Sequence, residues 1–278
     1  MLRPMRRTDP ELSQVDQLLM LAFGSASRRT ELDLYTTVQP DGWFVIEEDD
    51  RIVAVGGCLV YGSFSWIGLV GTRPAVRGRG HATRLSEHLV KWSYARGCRT
   101  VALDASKLGR PIYERLGFRP VGSTVQLAPR RMQEPRNPEV TIGHLASPDK
   151  DLLLELDAGI FGGDRSGLLK LLMRGDDKSR LVTRHNAGRL SGFLFVRDRL
   201  IGPGAATSRD VARALVQDAL ADTSPEQTLL LPSESAYLDI LLSLGFVEQQ
   251  RLTHMRHGDP SIAGSRDRLL AQTSYAAG

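Results

Sequence analysis

The tripeptide Leu-Gly-Phe occurs twice, as Leu116-Gly117-Phe118 and as Leu244-Gly245-Phe246, each time after a short helical stretch late in one half of the chain. A chain that sets the same helix-to-strand turn at matching points of two halves is constrained to a repeated fold. The first half reads as strand 2–6, helix 11–23 and helix 27–38, with Leu12, Val15, Leu18, Leu19 and Ala22 at helical spacing and Gly24 as the stop. Runs 43–47, 52–61 and 64–72 are β-rich and joined by the close turns Glu48-Asp49-Asp50 and Gly62-Ser63, which indicates an antiparallel meander. A long helix from Gly80 to about residue 96, a buried strand 100–104, a short helix 109–116 and a strand pair over 118–127 complete the half.

Residues 129–138 carry three prolines and three arginines without periodicity and read as a linker. The order then recurs: strand 140–144, helices 151–161 and 165–173, strands 181–183 and 190–197. A Gly-Pro-Gly turn at 202–204, helix 208–221, strand 228–231, helix 234–244 and a strand pair from 246 follow. The expected organisation is α/β: domains 1–128 and 140–260, a linker 129–139 and a tail 261–278 that is extended or loose. Each domain is a mixed, mostly antiparallel sheet flanked by helices. A chain of 278 residues suits two domains, and 41% apolar with 24% charged residues is a globular balance.

The net charge of +4 is modest, but arginines cluster near residue 77. Nucleic-acid binding would need basic residues interleaved with aromatics beyond 73–84, and that pattern is absent. Cys58 and Cys98 lack CxxC spacing and read as reduced thiols. The apolar run 18–23 is too short for a signal or a membrane span, so the expectation is a cytoplasmic protein without membrane contact. No HExxH or Cys/His set suggests a metal, and His81 is expected to be solvated. Trp43, Trp66 and Trp92 read as packing.

The chemically informative stretch is Val70-Gly71-Thr72-Arg73-Pro74-Ala75-Val76-Arg77-Gly78-Arg79-Gly80-His81-Ala82-Thr83, between a strand and a helix. Glycines leave backbone N–H groups unshielded, and the helix N-terminus aims a partial positive charge at the same point. Arg73, Arg77, Arg79 and Arg84 suit a polyanion. A plain tight connection needing φ > 0 would use the same glycines. A Rossmann fingerprint fails at Thr83, and no Walker Gly-Lys-Ser/Thr is present.

The stretch resembles motif A of the GCN5-related N-acetyltransferases (GNAT), Arg/Gln-x-x-Gly-x-Gly/Ala, with Arg77, Gly80 and Ala82 in place and Pro74 three residues earlier. Asp104-Ala105-Ser106 and then Tyr113-Glu114-Arg115-Leu116-Gly117-Phe118 resemble the family's motif B. The resemblance covers roughly 1–128 and implies an acetyl-CoA-dependent N-acetyltransferase. Arg77, Gly78, Arg79, Gly80, His81, Ala82 and Thr83 would hold the cofactor's pyrophosphate, and Val70 and Thr72 its pantetheine amides. It further implies a bulged strand with the Val70 N–H on the thioester carbonyl and Tyr113 as general acid. Amine attack builds negative charge on that carbonyl, so a fixed donor there lowers the barrier. No acid lies on residues 63–72, which leaves Asp104 as the nearest base, a turn role or direct transfer to water being the alternatives.

The second half resembles the GNAT-like domain fused to such enzymes, on Leu156-Asp157-Ala158, Gly163-Asp164-Arg165 and the closing Leu-Gly-Phe. Its stretch Ile201-Gly202-Pro203-Gly204-Ala205-Ala206-Thr207 departs from motif A, lacking Arg and losing a donor at proline, so cofactor binding is not expected there. Asp157, Asp164 and Arg165 are candidates to hold a charged acceptor, with capping and pairing of Asp164-Arg165 around a helix start as the competing role. The acceptor expected is a primary amine of a small molecule. A non-catalytic acetyl-CoA sensor is the alternative, and the oligomeric state, homo-oligomer included, stays open.

Overall fold

The computed structural model describes residues 1–130, 140–174, 180–184, 189–221 and 226–278. The expected linker falls outside them from residue 131 to 139. Two compact units are formed. The first comprises Met1–Val121, Met255–Ile262 and Ala277; the second comprises Gly122–His254, Ala263–Ala276 and Gly278. Each unit is thus assembled from segments far apart in sequence.

In the first unit β1 (Leu2–Pro4), β2 (Trp43–Glu48), β3 (Arg51–Val60) and β4 (Phe64–Thr72) pair antiparallel in that order, and β5 (Thr100–Ala105) runs parallel to β4. Met255–Ile262 completes the unit beyond β5. The Asp259 N–H donates to the Arg99 carbonyl at 3.0 Å and the Thr100 hydroxyl to the Asp259 carbonyl at 2.7 Å. Helix α1 (Asp9–Phe23) buries Leu12, Val15, Leu18 and Leu19, the stripe its spacing predicts. It ends at Gly24 with φ 60°, whose N–H caps the Met20 carbonyl. Helices α2 (Arg29–Val38), α3 (His81–Tyr94) and α4 (Arg110–Arg115) follow. Leu85 and Leu89 of α3 share one core with Ile46, Cys58, Ile67, Val101, Leu103, Tyr113 and Phe118.

The second unit repeats the order with β7 (Ile142–His144), α5 (Asp149–Phe161), α6 (Ser166–Leu172), β8 (Arg180–Arg184), β9 (Leu190–Val196), β10 (Leu200–Ala206), α7 (Arg209–Ala221), β11 (Thr228–Pro232) and α8 (Leu238–Ser243). Strands β7 to β10 pair antiparallel, and β11 runs parallel to β10. On its other edge β11 pairs antiparallel with β6 (Arg119–Pro129). A long strand β12 (Phe246–Gly258) and a short β13 (Leu269–Ala271) come last. The core gathers Leu194, Leu215, Leu229, Leu231, Tyr237 and Leu241.

Three expectations are corrected and one alternative is decided. The strand pair expected over 118–127 is the single strand β6, because Gly122 stays extended instead of turning. The pair expected from 246 is likewise one strand, β12. The Gly-Pro-Gly turn at 202–204 lies inside β10, at the point where its register against β9 shifts between Ile201 and Gly204. A bulge accepts a proline because one residue there makes no ladder bond. Of the two expected states of the tail, packed or loose, the structure has the packed one: Leu269, Leu270, Ala271, Gln272 and Thr273 are buried.

Gly57 of β3 lies beneath Trp43, and a Cβ there would stand 2.2 Å from the indole. Gly57→Ala should therefore destabilise the first unit by roughly 1–3 kcal/mol through overpacking. A lowered urea midpoint at unchanged slope is the expected outcome; an unchanged midpoint would mean that the indole shifts freely.

Candidate active site in the first unit

The site starts from a divergence. The parallel pairing of β4 with β5 runs over Phe64↔Thr100, Ser65↔Val101 and Trp66↔Ala102 and ends there, although both strands continue. Just beyond, β4 bulges. Gly57 faces Gly68 and Val55 faces Gly71, so Leu69 and Val70 together stand opposite Gly56. Leu69 has φ 51°, a left-handed backbone that is rare for a branched side chain and marks strain held by its surroundings. Val70 is thus out of register with β3 at the edge from which β5 departs, and Thr72 resumes the pairing opposite Ala54. Extended amide groups of a ligand can pair with such an edge as a strand would.

From Thr72 the chain enters a short 3₁₀ turn, Pro74–Val76, then Arg77, Gly78, Arg79 and Gly80 before α3. Gly78 and Gly80 have φ 82° and 81°, and a Cβ on either would meet nothing within 4 Å. The glycines serve backbone conformation and leave the concave side open. Gly80 caps α3 without a side-chain bond. The first-turn N–H groups of His81, Ala82 and Thr83 are beyond the reach of intrahelical acceptors, and with the helix dipole they form an anion cradle.

The charged groups around this turn are partly engaged. The Arg73 Nε donates to the Ile52 carbonyl and an Arg77 amino group to the Ala22 carbonyl, both at 2.7 Å. Arg79 is exposed, 4.0 Å from a Glu48 carboxylate oxygen. His81 is not solvated, contrary to expectation. It is 8% exposed, with Nε2 3.4 Å from the other Glu48 oxygen and outside hydrogen-bond geometry. Glu48 escaped the sequence reading because its acidic run looked like a simple hairpin turn. The turn is real, with Asp49 and Asp50 at positive φ, but it delivers Glu48 to the start of α3.

Tyr113 sits on α4, 9% exposed, its ring edge-on to Phe118 at 5.6 Å. Burial pushes the phenol up to about 12, against a smaller downward pull from Ser86 of α3, which makes no hydrogen bond of good geometry. Asp104 is half-buried in β5 and not at its end. Val101, Leu103 and Ala105 share the core of Tyr113, so strand alternation sets Asp104 on the opposite face of β5. His257 stands near a strand end in the sequence and belongs to no metal motif there. Its Nδ1 meets the Tyr94 hydroxyl and its ring lies 5.2 Å from Phe118, bracing the turn that closes α4. Burial holds this imidazole below its usual range.

The candidates in the second unit are built otherwise. Arg165 and Asp157 form a bidentate pair at 2.8 and 2.7 Å, with side chains 0% and 1% exposed. The same guanidinium donates to the Thr273 hydroxyl and the Gly278 carbonyl and lies 4.1 Å over the Phe161 ring. Arg165 and Asp157 hold each other, and no charge is left to offer an acceptor. Asp164 is exposed and accepts from the Ser166 N–H at 2.8 Å; Ser166 keeps its carboxyl below the usual range. Among the described residues no three His, Cys, Asp or Glu side chains gather as a metal site, and no helix is long and apolar enough to cross a membrane.

Known proteins are similar to this chain in sequence or in fold. Residues 12–118 match the acetyltransferase (GNAT) family and residues 153–271 match an acetyltransferase (GNAT) domain. An uncharacterized N-acetyltransferase of Bacillus subtilis, YitH, is 27% identical over 223 residues, 78% of each chain. A putative acetyltransferase of Pyrococcus horikoshii superposes with a TM-score of 0.84 at 23% identity, over 100% of this chain and 95% of that one. A tandem GNAT protein from the clavulanic acid biosynthesis pathway gives 0.66 at 14% identity over 94% and 99%. The chain belongs to the GNAT acetyltransferases, in the tandem form with two such domains.

Glu48 sets a carboxylate beside the cradle where an anion is favoured. Glu48→Gln should raise the affinity of the cradle for inorganic pyrophosphate roughly two- to fivefold at low salt, with the gain shrinking at high salt. Calorimetric titration checks this, and a weaker affinity would instead show that Glu48 is needed to hold His81 and Arg79.

Proposed function

We propose that the first unit binds acetyl-CoA across the β4–β5 divergence and transfers its acetyl group to a primary amine of a small-molecule acceptor. The observation that carries this reading is the continuity of one strand–turn–helix. A bulged strand edge at Leu69 and Val70 leads, through the 3₁₀ turn Pro74–Val76, to a helix start at Gly80 that is flanked by glycine and has no side-chain cap. A ligand that joins an extended amide chain to a pyrophosphate offers one group to each feature. The N–H groups at Gly78, Gly80, His81, Ala82 and Thr83 would hold the pyrophosphate, with Arg77 and Arg79 beside it, and the edge at Val70 and Thr72 the amide arm. When bound, acetyl-CoA supplies the acetyl thioester.

The chain's own groups then divide the work. The Val70 N–H would face the carbonyl oxygen, where a fixed donor is worth ~10²–10³-fold. Tyr113 would give its proton to the departing sulfur, and its raised phenol is in the donor form throughout the neutral range. Asp104, on the other face of β5, would take the proton from the incoming amine. The buried thiols Cys58 and Cys98, with Cys58 pushed up to about 11 by burial, suit a reducing cytoplasm. The burial of Tyr113 and the lack of an acid on residues 63–72 favour the alternative of a non-catalytic acetyl-CoA sensor.

Thiol release from acetyl-CoA against a panel of amines tests the reading. Tyr113→Phe should lower kcat at least about tenfold with acetyl-CoA affinity within about twofold. Asp104→Asn should lower kcat at neutral pH and recover as rising pH deprotonates the amine unaided. With the folded phenol at about 12 against about 10 unfolded, its proton is retained below pH 10 and the stability tied to it falls between pH 10 and 12. Hence no alkaline limb below about pH 10 should come from Tyr113. Tight binding without turnover of any amine would favour the sensor, and no binding would overturn the cofactor site.

A further inference from the structure

The second unit contains the same divergence as the first. Parallel pairing of β10 with β11 covers Leu200↔Thr228 and Ile201↔Leu229 and then stops, and β10 bulges at once between Ile201 and Gly204. Here the space between the parting strands is taken by the chain itself. β13 pairs with β10 through Gly204↔Ala271 and Ala205↔Leu269, while the Gln272 N–H donates to the Leu230 carbonyl of β11 at 2.7 Å. One short segment therefore bonds to both edges. The Ser235 hydroxyl donates to the Leu269 carbonyl at 2.8 Å and fixes the segment's start.

Further details of this unit are adapted to a peptide. A Cβ on Gly202 would lie 2.3 Å from the Gln272 carbonyl oxygen and 3.0 Å from the Ala271 side chain, so glycine permits the close approach. Leu269, Leu270, Ala271 and Gln272 are buried, and Leu270 and Ala271 belong to the unit's core. At the start of α7 the Val211 N–H donates to the Ser208 hydroxyl at 3.3 Å, a side-chain cap that α3 lacks. Arg209, next to that cap, is paired with Asp239.

We propose that the cleft of the second unit is a binding site for an extended peptide, filled in cis by residues 269–272, which take the course that a pantetheine arm takes in the reading of the first unit. The comparison rests on that reading. The ligand class is a strand with apolar side chains, bound through its backbone on two edges. It follows that the chain takes up one acetyl-CoA, in the first unit.

Hydrogen exchange followed by mass spectrometry on the full chain, with and without saturating acetyl-CoA, tests this together with binding stoichiometry. Amides of 200–206 and 269–272 should exchange slowly without ligand and stay unchanged with it, while 66–83 gain protection at a stoichiometry of about one. New protection over 200–206, or a stoichiometry of about two, would overturn the filled cleft and leave the first-unit reading intact. Fast exchange at 269–272 without ligand would overturn it as well. Protection nowhere would overturn the first-unit reading, while slow, unchanged exchange at 269–272 would still support the peptide site. Gly202→Val adds a second arm: it should speed exchange at 269–272 by about tenfold or more and leave 43–60 unaltered, and unchanged exchange at 269–272 would overturn the close-approach argument.

Discussion

Two parallel strands that part company leave backbone donors and acceptors that must be satisfied by something other than each other. This constraint organises both units. In the first, β4 and β5 separate after Trp66 and Ala102, and in the second, β10 and β11 separate after Ile201 and Leu229. Each divergence is paired with a bulge in the central strand, which turns the local backbone out of register with its antiparallel neighbour. The proposed difference between the units is what runs along the exposed edges: an extended amide ligand in one, residues of the same chain in the other.

The helix that follows each divergence shows the same contrast in its electrostatics. α3 begins at a glycine in left-handed conformation with another glycine two residues before it, and the turn carries four arginines nearby. α7 begins behind Ser208, whose hydroxyl already satisfies a first-turn donor. A helix start with its own cap has less to offer an anion, since the donors that would bind it are engaged. The buried pair of Asp157 and Arg165 belongs to the same structural logic. Two charges sunk beyond solvent persist because each meets the other with two hydrogen bonds and the remaining donors find Thr273 and Gly278.

Much of the local structure was legible in the residues themselves. Helical spacing over 11–23 and the acidic and glycine turns of the meander depend on neighbours within a few positions. So do the paired Leu-Gly-Phe closures, with Gly117 and Gly245 at φ 90° and 86°, because capping, turn conformation and one-face periodicity are short-range properties. The glycine turn before α3 was legible for the same reason.

What the sequence by itself determined, then, is the repeated α/β order, the strand–turn–helix at 70–83 and the GNAT resemblance they carry. Tertiary structure alone decided that Gly202-Pro203-Gly204 is a bulged strand and not a turn, that Met255–Ile262 completes the first unit, and that Leu269–Ala271 lies along β10. It also decided that Glu48 reaches His81 and that Asp157 faces Arg165 rather than a ligand. The physical reason is common to all of them. Strand partners and buried ion pairs are chosen by which edge or charge would otherwise stay unsatisfied. This holds for groups eight positions apart, as Asp157 and Arg165 are, and for distant segments such as β10 and β13, and no local pattern encodes the choice.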